Sequence, residues 1–349
     1  MDSILVLTHQ EDCSADLTKT SLEAVTAGLE LAEQLGAQLS IGAIAQDALK
    51  AVKVLVGTHA RILSVSGDVF AQARYASDAA ACEALCRAAQ ATIVLAPHSS
   101  RFARVMGGVS HRLGGCIDTH VSDMHTSTEG AAPTFEVTRW FYRQRIEAVL
   151  SRASRPWVLL LDAGTYAAWS ATPGAVQAEE IAVETPVQRT QVLGLRAPKQ
   201  DEQTIRPEAK MLFVAGAGWT KKQPDGQIHL AEAADLILNF LHTSGASLGS
   251  SKSLVDQGSD GQPVLPFLTH LNQVGQTGST PRHPKGLSTC CHGEEPHVVG
   301  WRFVRERRAI SLDPNCGWAR GKADVVYVAD AFQVITRINE ILRSSNRLP

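Results

Sequence analysis

The chain has 349 residues, 44% of them hydrophobic and 19% charged, with a formal net charge of −2. That length and apolar content support one large domain or two, with substantial cores. The near-neutral balance argues against a nucleic-acid binder, whose basic footprint would dominate affinity, and no apolar run is long enough to span a bilayer.

The first residues, "MDSILVLTHQ", are acidic and pass straight into a strand pattern, unlike a signal peptide. The seven cysteines (Cys13, Cys82, Cys86, Cys116, Cys290, Cys291, Cys316) are odd in number and include no CxxC pair. That usage suits reduced thiols, so the expected location is cytoplasmic.

"SILVLTH" (residues 3–9) reads as a buried strand. In "SLEAVTAGLELAEQLG", Leu22, Val25, Leu29 and Ala32 have helical spacing and Gly36 is a stop. "LSIGAIA", "RILSVSG" and "ATIVLAPHSS" read as further strands, with "YASDAAACEALCRAAQ" as the helix before the last. Strands alternating with helices predict a parallel sheet covered on both faces. "THVSDMHTS", "FEVTRWFY" and "PWVLLLDAG" continue the strands, the last apolar enough for the sheet centre.

Residues 172–208 are rich in Glu, Gln, Thr, Arg and Pro, with one alternating stretch, "TQVLGLR", that reads as a strand. A domain boundary is expected near Asp201–Arg206, giving an α/β domain over 1–203 and a second over 204–349. The pattern then restarts. "KMLFVAGAG" is a strand, "HLAEAADLILNFLHTSG" an amphipathic helix, "ASLGSSKSLVDQG" a strand-to-helix passage and "AFQVITRINEILRSSN" a closing helix. The fold class is therefore α/β with two doubly wound domains.

"VAGAGWTKK" offers Gly216 and Gly218 after a strand, but Lys221 stands where a third glycine would complete a dinucleotide fingerprint. A simple tight turn accounts for it equally well. "TCCHG" sets two thiols beside His292 without the spacing of a zinc clip. Cys82 and Cys86, one helical turn apart, read as small apolar packers. Arg302, Arg305, Arg307 and Arg308 form a solvated basic face or a phosphate or partner contact. "NQVGQTG" (residues 272–278) combines glycines that allow close backbone approach with neutral donors and acceptors. Such a loop is either a plain hydrophilic turn or a support for a flat, polar-edged ligand such as a flavin ring.

"QVGQTG" resembles a signature of the electron transfer flavoprotein alpha subunit family. The family's later Gly-Ile-Ser-Gly-Ala-Ile-Gln-His-Leu-Ala-Gly segment is similar to "CCHGEEPHVVG" (residues 290–300), with Gly293, His297 and Gly300 in register. Its Asn-Lys-Asp-Pro resembles "SLDP" (311–314), its Gly-Ala-Ser-Arg-Ala-Ala-Val-Asp resembles "GSSKSLVD" (249–256), and "ADVVYVADAFQVI" is similar to its closing strand and helix. In the first domain the echo is looser, in "ATIVLAPHSSRFAR".

The resemblance implies a Rossmann-like second domain that binds FAD, and a first domain that packs with a beta-type subunit in a heterodimer. It implies a carrier that takes electrons from a flavin- or iron-sulfur-containing dehydrogenase. Carried over by position, Thr277 would hydrogen-bond flavin N5 and His297 would face O2. Gln273, Gln276 and Gly278 would shape the loop around the ring, Ser251 and Lys252 would lie near ring and phosphates, and Asp330 would lie at the adenosine end. Gly216, Gly218, Val274, Gly275, His292, Gly293, Ser311 and Asp313 complete the implied cofactor-binding set.

The sequence also departs from the family. Its Ser-Gly-Gly-Arg-Gly turn is "AGAGW", which removes an arginine, and a second arginine is Lys252, which keeps charge without bidentate reach. Glu294 and Glu295 place carboxylates beside His297. An apolar family strand aligns with "RERRAI", which predicts a shifted or edge strand. These departures favour a second reading, a flavin-free structural or regulatory subunit of such a complex.

Overall fold

The computed structural model describes residues 2–10, 14–127, 134–142, 146–184, 186–187, 189–194, 205–206, 209–257, 261–274, 282–290, 301 and 304–345. The chain divides into two compact units, Met1–Leu195 and Arg196–Pro349.

The first unit runs β1 (Ser3–His9), α1 (Lys19–Leu35), β2 (Gln38–Ala45), α2 (Ala48–Ala51), β3 (Arg61–Ser66), α3 (Tyr75–Ala88), β4 (Ile93–Pro97) and α4 (Ser100–Arg112). It continues through β5 (Cys116–Ser127), β6 (Thr134–Phe141), β7 (Ile146–Leu150), β8 (Trp157–Leu161) and β9 (Ala178–Glu180). The nine strands form one sheet in the order β7-β6-β5-β8-β4-β1-β2-β3-β9. β5 to β9 in that order pair in parallel, while β6 and β7 add an antiparallel margin, so the sheet is mixed and mainly parallel.

Side chains of a strand alternate between faces, and β1 uses both. Ile4 and Val6 pack with Ala24, Val25 and Leu31 of α1. Leu5 and Leu7 pack on the other face with Leu85 of α3 and Phe102, Val105 and Val109 of α4. Thr18 Oγ1 accepts from the Ser21 amide at 3.1 Å to start α1, and Gly36 ends it at φ 56, a left-handed cap. Cys82 and Cys86 are buried packers in the second cluster. Burial pushes both thiols up, Cys86 to about 12.

The second unit runs β10 (Met211–Ala215), α5 (Leu230–Ser244), β11 (Ser247–Ser250), α6 (Lys252–Asp256), β12 (Lys285–Cys290), β13 (Glu306–Ser311), α7 (Gly317–Lys322), β14 (Val325–Val328) and α8 (Ala331–Ser345). Its five strands are all parallel, in the order β11-β10-β12-β13-β14. In chain order this is 2-1-3-4-5, a doubly wound arrangement. Phe213, Ile237, Phe240 and Ile335 build the core under α5 and α8. Leu212, Val214, Val274, Trp301 and Ala309 build a smaller one on the opposite face.

Two expectations are corrected. "TQVLGLR" forms no strand over its described residues 190–194, where Leu193 is 92% exposed: alternation without a partner edge or a buried face does not hold a strand. "RERRAI" is not an edge strand, because β13 lies between β12 and β14. Its charges occupy the exposed first half, where Arg307 pairs with Asp324 at 2.8 Å, while Ala309 and Ile310 carry the burial. After the glycines of "VAGAG" comes a 3₁₀ turn (Ala217–Thr220), and α5 begins at Leu230, where "HLAEAADLILNFLHTSG" predicts a helix.

Candidate functional site

Ligands of open α/β sheets sit outside the carboxyl ends of the strands, where the strand order reverses. In the second unit that point lies between β10 and β12. Gly216 follows β10, Ser251 and Lys252 follow β11, Ser311 ends β13 with Asp313 just beyond, and Asp330 follows β14. Backbone bonds tie these ends together. The Gly216 amide donates to Thr289 O at 3.0 Å, the Ser251 amide to Ala215 O at 2.9 Å and the Ala329 amide to Ser311 O at 3.1 Å.

The start of the amide-rich loop docks on the same edge. Gln273 bridges to Ser250, and the Val274 amide donates to Ser250 O at 3.1 Å. This needs Gly249: a Cβ there would lie 2.6 Å from Val274 Cγ2 and 3.2 Å from Leu212 Cδ1. Gln273 is 1% exposed, and its Nε2 has no hydrogen-bond partner among the described residues; nor has Ser250 Oγ. Unpaired buried donors are costly, and a ligand with neutral polar edges relieves that cost. On this observation the residues present fit a flavin.

Several candidate side chains already have structural work. Ser251 Oγ accepts from the Leu254 amide at 3.2 Å, capping α6. Asp330 Oδ1 accepts from the Phe332 amide at 2.7 Å at the start of α8. Ser311 Oγ accepts from the Asp313 amide, and Asp313 Oδ1 from the Asn315 amide at 2.8 Å, folding the turn after β13. Lys252 Nζ lies 3.8 Å from Asp256. Gly218 is buried in the 3₁₀ turn beside Trp219, whose indole N–H donates to Thr289 Oγ1 at 2.7 Å. Gly275, Gln276, Thr277, Gly278, His292, Gly293 and His297 lie outside the described residues.

Sequence reasoning missed a cleft of about 550 Å³ next to this edge, lined by Thr220, Lys221, Lys222, Ser253, Asp256 and Gln257. Its signal was the Lys221–Lys222 pair directly after the glycines, read only as an interruption of a fingerprint. A second cluster in the first unit joins His98 and Asp162, just beyond β4 and β8, with His120 inside β5. His98 and Asp162 follow apolar runs and His120 sits in a polar strand, and only the strand order reveals that the three are neighbours.

Among the described residues, no helix is long and apolar enough to cross a membrane. No curated protein matches the chain. The model of the electron transfer flavoprotein domain matches residues 6–188, which is more than half of the chain. The match falls on the first unit, where the sequence echo was looser. The nine-stranded, mainly parallel sheet spans that segment, and the chain belongs to the electron transfer flavoprotein domain family.

Proposed function

We propose that the chain is the alpha subunit of an electron transfer flavoprotein, with FAD held by residues 204–349. It pairs with a beta-type subunit through residues 1–203, collects electrons from a partner dehydrogenase and passes them to an acceptor. Family membership supports the general activity. The observation that carries the flavin reading is the grouping of Gly216, Ser251, Gln273 and Ser311 along one carboxyl edge, with the Gln273 amide unpaired among the described residues.

Bound FAD supplies reversible one- and two-electron chemistry, which side chains alone do not. The chain's own residues bind and orient it. Gln273 offers an amide donor to the ring or its side chain, and Lys252 offers positive charge on the phosphate side. From the resemblance, Thr277 and His297 tune the ring by a hydrogen bond and by charge near its oxygen. Titration of FAD into the chain co-produced with a beta-type subunit tests this. Stoichiometric uptake is expected, and Gln273→Ala should weaken it about tenfold, the loss of roughly one buried hydrogen bond. No uptake, or uptake indifferent to Gln273→Ala, contradicts the assignment.

The second reading, a flavin-free subunit of a similar complex, draws on Gly218 and Lys252. Gly218 replaces the family's arginine with no charge, and Lys252 is engaged by Asp256. On that reading Gln273→Ala merely removes an unpaired buried amide and leaves the protein as stable or more so.

A further inference from the structure

The geometry points to a divalent-metal site of the zinc class in the first unit, formed by His98, His120 and Asp162. The site is separate from the flavin reading and does not depend on it.

Register brings the three residues together. β8 lies between β4 and β5, with Pro97 and Val121 both opposite Leu161. His98 follows Pro97 and Asp162 follows Leu161, while His120 precedes Val121 inside β5, at a register shift, with its ring 3.0 Å from Asp162. Backbone bonds fix the neighbouring strand levels: the His98 amide donates to Leu161 O at 2.8 Å and the Asp162 amide to Val121 O at 2.9 Å. Asp162 Oδ1 lies 3.0 Å from His120 Nδ1 and 3.4 Å from His98 Nδ1. Two imidazoles and a carboxylate within 4.8 Å of one another form the one such group among the described residues. Ligands about 2.1 Å from a tetrahedral zinc are about 3.4 Å apart, so small ring movements close the set around an ion.

A second observation concerns the backbone. His120 has φ 57, a left-handed conformation that residues other than glycine rarely adopt, and it sits where the β5–β8 register shifts between Asp118 and Val121. Bulges of this kind re-aim a side chain, and here the imidazole is aimed at Asp162. Structural need alone does not call for histidine at a strained position whose side chain is 47% exposed. The His98 and Asp162 side chains are 19% and 11% exposed. The set therefore has two recessed ligands and one open side, which leaves a fourth position for water or an exogenous ligand.

The test uses the full chain stripped with a chelator and titrated with Zn²⁺ and, for its spectrum, Co²⁺. One ion per chain is expected, with visible cobalt bands of a tetrahedral nitrogen–oxygen set. His98→Ala and Asp162→Asn should abolish that binding, while His125→Ala, on β5 like His120, leaves it intact. His120→Gly suits the left-handed backbone, so it should keep or raise the melting temperature of the metal-free chain while losing the rise that zinc gives the parent. A thiolate-to-cobalt charge-transfer band would place the ion on cysteines and overturn the assignment. So would absence of stoichiometric binding, or a zinc-induced rise that survives His120→Gly.

Discussion

Asp118 has a side chain only 1% exposed, and it accepts from Arg139 at 2.8 Å, from Arg152 and from the Trp157 indole at 2.9 Å. Burial pushes its carboxyl up, but the bonds from Arg152, Trp157 and Arg139 outweigh burial and hold it below the usual 3.8. A folded-state value below the unfolded one contributes stability above the unfolded pKa, and that contribution is lost as pH falls through the folded one. Asp118→Asn should therefore cost about 3 kcal/mol at pH 7, the low end for breaking a buried ion pair, because Arg152 still reaches water. Chemical denaturation across pH checks it: the gap between parent and variant should be full above about pH 5 and should shrink as pH falls below 3.8. An equal gap at pH 3 and pH 7 would rule out the charge as its source. At this scale little was legible in advance. Composition and spacing gave no reason to pair Asp118 with Arg139 and Arg152, or His98 with His120 and Asp162, because each group is assembled from segments far apart in the chain.

Elements were more legible than contacts. The apolar runs "SILVLTH", "ATIVLAP" and "PWVLLL" became β1, β4 and β8 because continuous burial on both faces leaves a continuous apolar signature. α4 is hard to see in the sequence: Phe102, Val105, Met106 and Val109 carry the helical spacing, but Gly107 and Gly108 interrupt the pattern. β9 could not be read from "AEE". It exists because Ile62 to Ser64 present a free edge, and Arg61 meets Glu179 at 2.7 Å. In the second unit the junction of β11 with the amide-rich loop depends on Gly249. Gly249→Ala should push Val274 off the strand and cost about 1–3 kcal/mol through overpacking. Thermal unfolding of the second unit measures that cost, and FAD affinity should fall with it. A neutral substitution would mean the loop is not held there.

The whole chain carries separate clusters of buried apolar residues in its two units. Residues 1–194 produced alone should thus unfold in a single cooperative transition; a fragment with no transition by calorimetry would show that its clusters do not suffice. The family match lies within that first unit, while the residues that resemble a flavin site lie in the second. A doubly wound, Rossmann-like second unit was implied by the sequence resemblance; the strand order and the carboxyl-edge grouping come from the structure. The engagement of Asp330, Ser251 and Ser311 in caps and turns was not implied, since a capping residue and a ligand-binding residue share the same chemistry.

The measurement that bears most directly on the electron-carrier reading is a visible absorption spectrum of the chain purified with a beta-type subunit. Flavin bands at near-stoichiometric yield that bleach on reduction and return on oxidation are expected. A colourless, stably folded complex that takes up no added FAD would contradict it.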